Sequence, residues 1–312
     1  MEQEKQDLVL IDGNAILHRA YHALPPLTTR SGELVNAVYG FSTMLLKILH
    51  EMQPKYIAVA FDTVKPNFRH QEYVGYQAHR PRTDSELTGQ IEKVHDLVRA
   101  FNMPIFSIEG YEADDVIGTL AKQAVERDKK NKEEIEVLIV TGDKDLMQLV
   151  SERVKLFMPT RGLSEGQIVG EKEVIEKMDI PPAQIVDYKG LVGDQSDNYP
   201  GVPGIGPKTA VELLKKFGSL EEIYRNLNKI EKKTLLGKLA EGAESGQLSK
   251  KLATILIDVP ITLDLEKCLA QDYDKERVIG FFKELGFRSL VNRLNPPTEK
   301  EAEKNGRQPS LF

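Results

Sequence analysis

Apolar and polar positions fall in long blocks along the first half of the chain, and three of the apolar blocks stop on an aspartate. Leu8 to Ile11 ends on Asp12, Ile57 to Phe61 ends on Asp62, and Val137 to Val140 leads through Thr141 and Gly142 to Asp143. Continuous runs of this length, rich in β-branched residues, predict central strands of a parallel sheet buried on both faces. Such sheets place ligands beyond the carboxyl ends of their strands, so the three carboxylates are expected on one rim. Elsewhere the apolar spacing turns helical, with an amphipathic helix near 36–51, a mostly helical excursion over about 66–101 and a helix over about 112–128. Further strands are expected near 104–108, 136–140 and 154–157, with a short helix after Lys144. Beyond about residue 180 helical spacing dominates, as in Ala210 to Phe217 and Val278 to Leu285, which predicts a helical second domain.

Other acids stand where they would join the rim. They are Glu112, Asp114 and Asp115 in GYEADDVIG, Asp145 two residues after Asp143, and Asp194 with Asp197 in GDQSDN. One aspartate after a strand is commonly a turn residue or a helix N-cap. Many on one rim would repel one another and rise in pKa unless cations held them ionised, which predicts a divalent-metal site. The donors are all oxygen, with no histidine or cysteine cluster beside them, and this favours magnesium or manganese over zinc. Two such ions about 4 Å apart form the usual clamp for phosphodiester hydrolysis, one activating water and the other stabilising the leaving oxygen. Glu112 and Asp115 are three residues apart and share a helix face, whereas Asp114 points elsewhere in an ideal helix.

At 312 residues, 40% hydrophobic and 29% charged, the chain can bury one large core or two unequal ones. Its single cysteine, Cys268, excludes an internal disulfide and fits a reducing compartment. The charged start MEQEKQD does not read as a signal peptide, and no apolar run approaches a membrane span. A soluble, cytoplasmic monomer is expected. The formal charge of −6 turns positive once the nine rim acids are set aside, and its distribution matters more than its total. Lys65, Arg69, Arg80 and Arg82 lie within one stretch against the single acid Glu72, directly after the strand ending in Asp62. These bases would hold phosphate beside the metals. Tyr73 and Tyr76 lie among them, either to stack on an unpaired base or to pack on the core. The stretch GVPGIGPKTA from Gly201 to Ala210 is not a P-loop, because Pro207 stands where that loop needs lysine and no strand precedes it. It suits a hairpin between two helices. Gly204 and Gly206 would let backbone N–H groups reach a DNA phosphate, with Lys208 as a second contact; the alternative is a plain tight turn with Pro207 at a helix start.

The set IDGNAILHRAYHAL, AVYGF, GYEADDVIGTLA, TGDKDLMQLV and GDQSDNYPGVPGIGPKTA resembles the 5′ nuclease domains of bacterial DNA polymerase I, within the flap endonuclease family, over roughly residues 7–294. The resemblance implies an α/β fold with a PIN-like, mainly parallel twisted sheet flanked by helices over residues 1–180. It implies a helical arch over about 66–101 and a helix-hairpin-helix domain over 181–294 that binds duplex DNA and a potassium ion. Carried over by motif, Asp12, Asp62, Glu112, Asp114 and Asp115 would hold one Mg2+ or Mn2+, and Asp143, Asp145, Asp194 and Asp197 would complete a second site. Arg69 would steer the scissile phosphate. The family cuts 5′ flaps and nicked or gapped duplexes in Okazaki fragment processing and repair, which implies a nucleoid location and branched DNA with a 5′ end as partner.

One position departs from the pattern. Tyr76 is followed by Gln77, where the resemblance implies a lysine that contacts DNA, and a neutral amide cannot supply that charge. Either Arg80 or Lys65 substitutes, or cleavage is slower; the extreme alternative is a DNA-binding module with weakened catalysis. A ribonuclease sharing the sheet would not need the second domain or the hairpin. From residue 295 to 312 the chain is polar and charged apart from its last two residues, and a disordered tail or linker is expected, with a polymerase domain attached or not. Its Gln308, Leu311 and Phe312 resemble the short peptide by which bacterial replication proteins dock on the sliding clamp.

Overall fold

The computed structural model describes residues 7–79, 85–131, 135–160 and 165–295. Its centre is a six-stranded sheet in the order β3-β2-β1-β4-β5-β6, built from β1 (Leu8–Asp12), β2 (Tyr56–Ala60), β3 (Ile105–Phe106), β4 (Val137–Val140), β5 (Val154–Pro159) and β6 (Gly166–Val169). All neighbouring pairs are parallel except β5 with β6. Each central strand divides its side chains between two cores. Val9, Ile11, Ile57, Val59, Leu138 and Val140 face one, while Leu8, Leu10, Ala58, Ala60, Val137 and Ile139 face the other. That is why the runs are apolar without alternation.

The first core is covered by α1 (Gly13–Ala23), α2 (Asn36–Lys47) and, after the short α3 (Phe68–Glu72), by α4 (Ser85–Ala100). Within the stretch 66–101, α4 buries Leu87, Val94, Leu97 and Val98 in the core. Its buried Gln90 accepts Ala37 N at 2.8 Å and Val38 N at 3.3 Å, supplying the open N-terminus of α2 with the acceptor its own sequence lacks. The second core is covered by α5 (Ala113–Asn131) and α6 (Glu171–Met178).

Beyond residue 180 the described chain has no strand. Helices α7 (Ile185–Val192), α8 (Pro207–Phe217), α9 (Leu220–Arg225) and α10 (Lys233–Glu241) gather around a third apolar cluster. Helix α11 (Ala243–Ala253) packs along α7. The chain then returns to the sheet. Residues 252–263 lie along α5, where Asp115, Thr119 and Gln123, four residues apart and so on one face, accept the backbone N–H groups of Leu256 (2.8 Å), Val259 (3.2 Å) and Leu263 (2.8 Å). Gly118 lies on the same helix because a Cβ there would meet Ile255, Ile257 and the carbonyl of Leu256 at 2.9–3.3 Å. Finally α12 (Lys275–Glu284) and α13 (Arg288–Leu294) bury Val278, Ile279, Phe282, Leu290 and Leu294 in the first core rather than among the helices after residue 180. Their apolar stripes show in the sequence, but not the destination.

Candidate active site

The ends of β1 and β4 are neighbours and share a hydrogen-bond network. Asp12, 3% exposed, caps α1 through Ala15 N at 2.9 Å and accepts the Thr141 hydroxyl at 2.7 Å. Thr141 Oγ1 in turn accepts Asp143 N at 2.9 Å, and Asp143 Oδ1 accepts Asp145 N at 2.8 Å. Beyond β2, Asp62 donates its N–H to Asn14 Oδ1 at 2.9 Å, and its carboxylate accepts Ala113 N at 2.7 Å, opening α5. The three strand-end aspartates therefore share one rim, with the start of α5 beside them.

The rim carries more negative charge than its protein surroundings offset. Burial pushes Asp12 up to about 7, and Asp62 and Asp143 add to it against the hydrogen bonds from Ala15 and Thr141. Burial likewise lifts Glu112 to about 7 despite Arg69, with Asp62, Asp115 and Asp197 adding to the rise. Asp114 lies well above the usual carboxylate range, through burial first and then Asp143, Asp12, Glu112 and Asp62. Burial raises Asp145 to about 6 against the pull of Lys189. Asp194 is the exception: burial would raise it, but Lys189, Ser196 and the Asp197 amide together hold it below the usual range. Among the described residues no three of His, Cys, Asp or Glu close into a finished metal-holding group. The donor set nevertheless fits a hard divalent cation, because it is all oxygen and it is the charged form of these acids that burial and neighbours penalise.

Several sequence expectations change here. Asp115 is fully buried behind Glu112, on which its charge acts. It accepts Arg69 Nη1 and Nη2 at 2.8 Å each, Leu256 N at 2.8 Å and Glu112 N at 3.1 Å, which uses all its lone pairs. Arg69 is 2% exposed. Its remaining N–H groups go to Leu252 O (2.9 Å), Thr254 O (2.8 Å) and Glu112 (3.0 Å), so all five donors are engaged. Conversely Asp114, which an ideal helix directs away from Glu112, interacts with the rim acids because α5 starts there and Glu112 precedes its first residue.

The residues before α4 also resolve differently. Tyr76 is 3% exposed and stacked on Tyr199 at 6.5 Å, its hydroxyl 3.2 Å from Glu112 and 3.3 Å from Asp197, so its ring offers no face for a nucleobase. Gln77, at φ +54°, donates its amide to Glu112 (3.3 Å) and Asp197 (3.2 Å) and its N–H to Asp197 O (2.9 Å). Lys65 is exposed and paired with Glu109 at 2.8 Å. Arg80, with Arg82, lies outside the described residues, as do Gln308, Leu311 and Phe312. At the hairpin, Gly204, Gly206 and Lys208 are all exposed, and Gly206 caps α8 with Pro207 at its first position. Gly204 has φ +80°, and a Cβ there would come within 2.9 Å of Lys238, whose ammonium bonds the Gly204 carbonyl at 2.9 Å. Sequence reasoning missed Asn14, Thr141 and Lys189 as polar residues that hold the acids: Asn14 and Lys189 lie outside the runs ending on an acid, and Thr141 lies within one.

Residues 7–179 match the family model described as 5′-3′ exonuclease, N-terminal resolvase-like domain, and residues 180–276 match 5′-3′ exonuclease, C-terminal SAM fold. Together they define a nuclease fold of a resolvase-like sheet followed by a helical SAM-fold domain. The chain belongs to the 5′-3′ exonuclease family. It is 43% identical over 297 residues to DNA polymerase I of Bacillus caldotenax, covering 95% of this chain and 33% of that protein, and 41% identical over 302 residues to DNA polymerase I of Bacillus subtilis, covering 97% and 34%. The chain thus spans about a third of the length of these relatives. In fold it is similar to the bacteriophage T5 5′-exonuclease with bound divalent zinc (TM-score 0.67, 19% identity, 93% of this chain and 97% of that one). It is likewise similar to a complex of the T5 D15 flap endonuclease with DNA and metal ions (TM-score 0.66, 18% identity, 93% and 97%).

Proposed function

We propose that the chain is a structure-specific 5′ nuclease, acting as 5′-3′ exonuclease and 5′-flap endonuclease on nicked, gapped or flapped DNA during primer processing and repair. The observation that carries this reading is the rim itself. Asp12, Glu112, Asp114 and Asp145 are held above the usual carboxylate range, with Asp62, Asp143, Asp194 and Asp197 among the acids acting on them, and an exposed hairpin precedes α8. Two bound Mg2+ or Mn2+ ions would supply the electrophilic chemistry, activating water and stabilising the leaving oxygen. Asp12, Asp62, Glu112 and Asp114 would hold one, and Asp143, Asp145, Asp194 and Asp197 the other. Arg69 and Asp115 would keep α5 in place, and Gln77 would sit where the substrate strand approaches Glu112 and Asp197. The amides at the start of α8, with Lys208 and a potassium ion at the hairpin, would grip a duplex phosphate. A T5 neighbour in complex with DNA and metal ions supports this class of substrate.

The proposed layout keeps a catalytic unit to about residue 180 and a DNA-binding unit beyond it, with a polymerase attached as in the relatives. The protein would work at the nucleoid, its Gln308, Leu311 and Phe312 docking on the sliding clamp. Deleting residues 308–312 is then expected to abolish clamp binding in a pull-down, and equal binding without them refutes that docking. The nuclease reading is tested by cleavage of a 5′-labelled flap duplex against matched single-stranded DNA and RNA, with Mg2+ and with EDTA. Magnesium-dependent cutting near the junction, lost in Asp143→Ala, is the expected result. Binding without cutting would make this a DNA-binding module, and preference for single-stranded RNA would make it a ribonuclease.

A further inference from the structure

One basic side chain stands inside the acidic rim. Lys189 rises from the middle of α7 with 16% of its side chain exposed. Its ammonium lies 2.6 Å from Asp145 Oδ1 and in direct contact with Asp194 Oδ2. The other oxygen of Asp194 is taken by its own turn, accepting Ser196 N at 2.7 Å, the Ser196 hydroxyl at 2.5 Å and Asp197 N at 3.2 Å. Asp145 in turn donates its N–H to Asp143 Oδ1 at 2.8 Å. A continuous polar chain therefore runs Asp143, Asp145, Lys189, Asp194, and it joins the sheet to the first turn after α7.

We infer that Lys189 is a positioning residue that serves as resident counter-ion for this half of the rim and competes with the second divalent ion for Asp145 and Asp194. The inference rests on the metal-dependent nuclease reading above. Two half-buried carboxylates facing one another without a cation repel, and a partner of opposite charge is needed to keep them together. An ammonium on a flexible four-carbon stem supplies one charge and can withdraw, whereas a divalent ion brings two. While Lys189 stays, the acids remain assembled for an ion to enter. The same contact lowers the affinity of that ion, because its binding must displace the ammonium from both oxygens. On the other half, Asp12 is opposed by Asp62 and Asp143, and Asp114 by Asp143, Asp12, Glu112 and Asp62, so the ion there is expected to bind first.

The test is Mn2+ titration of the full chain without DNA, followed by calorimetry and by Mn2+ electron paramagnetic resonance, for the native protein, Lys189→Met and Lys189→Arg. The native protein is expected to show a tight and a weak class of site. Lys189→Met should tighten the weak class by at least about tenfold through loss of the competing charge, leaving the tight class within about twofold, while Lys189→Arg stays near the native values. Unchanged affinities in a folded Lys189→Met would overturn the inference, since a merely structural ion pair leaves metal binding alone. Loss of the weak class would overturn it too, by making the lysine an organiser and not a competitor. If Lys189→Met folds only when Mn2+ is present, the metal has taken over the role of the ammonium and the inference stands. If it folds in neither condition while Lys189→Arg folds, the inference fails. Absence of Mn2+ binding by the native protein would instead sink the metal reading on which the inference rests.

Discussion

Asp114 and Asp115 are neighbours in the first turn of α5, yet they belong to two opposite kinds of polar cluster. Asp115 is closed in by Arg69 and two backbone amides, and its charge is fully matched. Asp114 faces Asp143, Asp12, Glu112 and Asp62, and its charge is opposed. One cluster is a brace that ties α3 and α5 to the returning segment at 252–263 through Arg69. The other stores unmatched negative charge at a rim. A buried charge with all its partners supports a fold, while a set of carboxylates with too few is suited to binding a cation.

This contrast is broken or sharpened most strongly at Arg69. Arg69→Leu leaves Asp115 buried and unpaired, and it should cost about 3–5 kcal/mol in denaturant unfolding. A loss below about 1 kcal/mol would mean the brace carries no more than a surface pair. Asp114→Asn is expected to do the reverse. Single-turnover flap cleavage should fall about a hundred- to a thousandfold with loss of one acid from a charge-stabilising site. Its melting temperature should hold or rise, because the amide removes a charge that burial and neighbours disfavour; a marked fall in stability would place Asp114 in the brace.

A smaller effect should follow pH. The folded-state pKa values of Asp12 and Glu112, about 7, and of Asp145, about 6, lie above those of the unfolded chain. The native state therefore binds more protons between about pH 4 and pH 7, and stability should decline across that window as pH rises and then level off. In EDTA the melting temperature is expected to show this fall, and Mg2+ should raise it more at pH 8 than at pH 5. A profile that rises with pH would contradict the charge assignment. The smallest effect belongs to the returning segment: Gln123→Ala removes its bonds to Leu263 N and Ile261 O and should cost about 1–2 kcal/mol with cleavage unchanged.

The sheet and the strand-end acids were legible in the sequence because an uninterrupted apolar run can only be buried on both faces, and its end then has a fixed place. The same reasoning located the helix behind Glu112 and the helical character beyond residue 180. It missed α1, whose polar residues His18, Arg19 and His22 dilute the apolar stripe, and β6, a short edge strand with three exposed residues in four. It also assigned Arg69 and Asp115 to chemistry. Their mutual burial depends on residues 252–256, more than a hundred positions away, and no local spacing encodes that contact. For Tyr76 the sequence leaves base stacking and core packing open, and its contact with the distant Tyr199 corresponds to the second.

The opposed acids, and not the matched one, are expected to take the metal. Anomalous diffraction from crystals soaked in Mn2+ at pH 8 tests it most directly. Density within ligand distance of Asp12 and Asp114, with Asp115 still closed on Arg69, is the predicted result. An ion on Asp115 with Arg69 displaced, or no ion at the rim at all, would contradict the account.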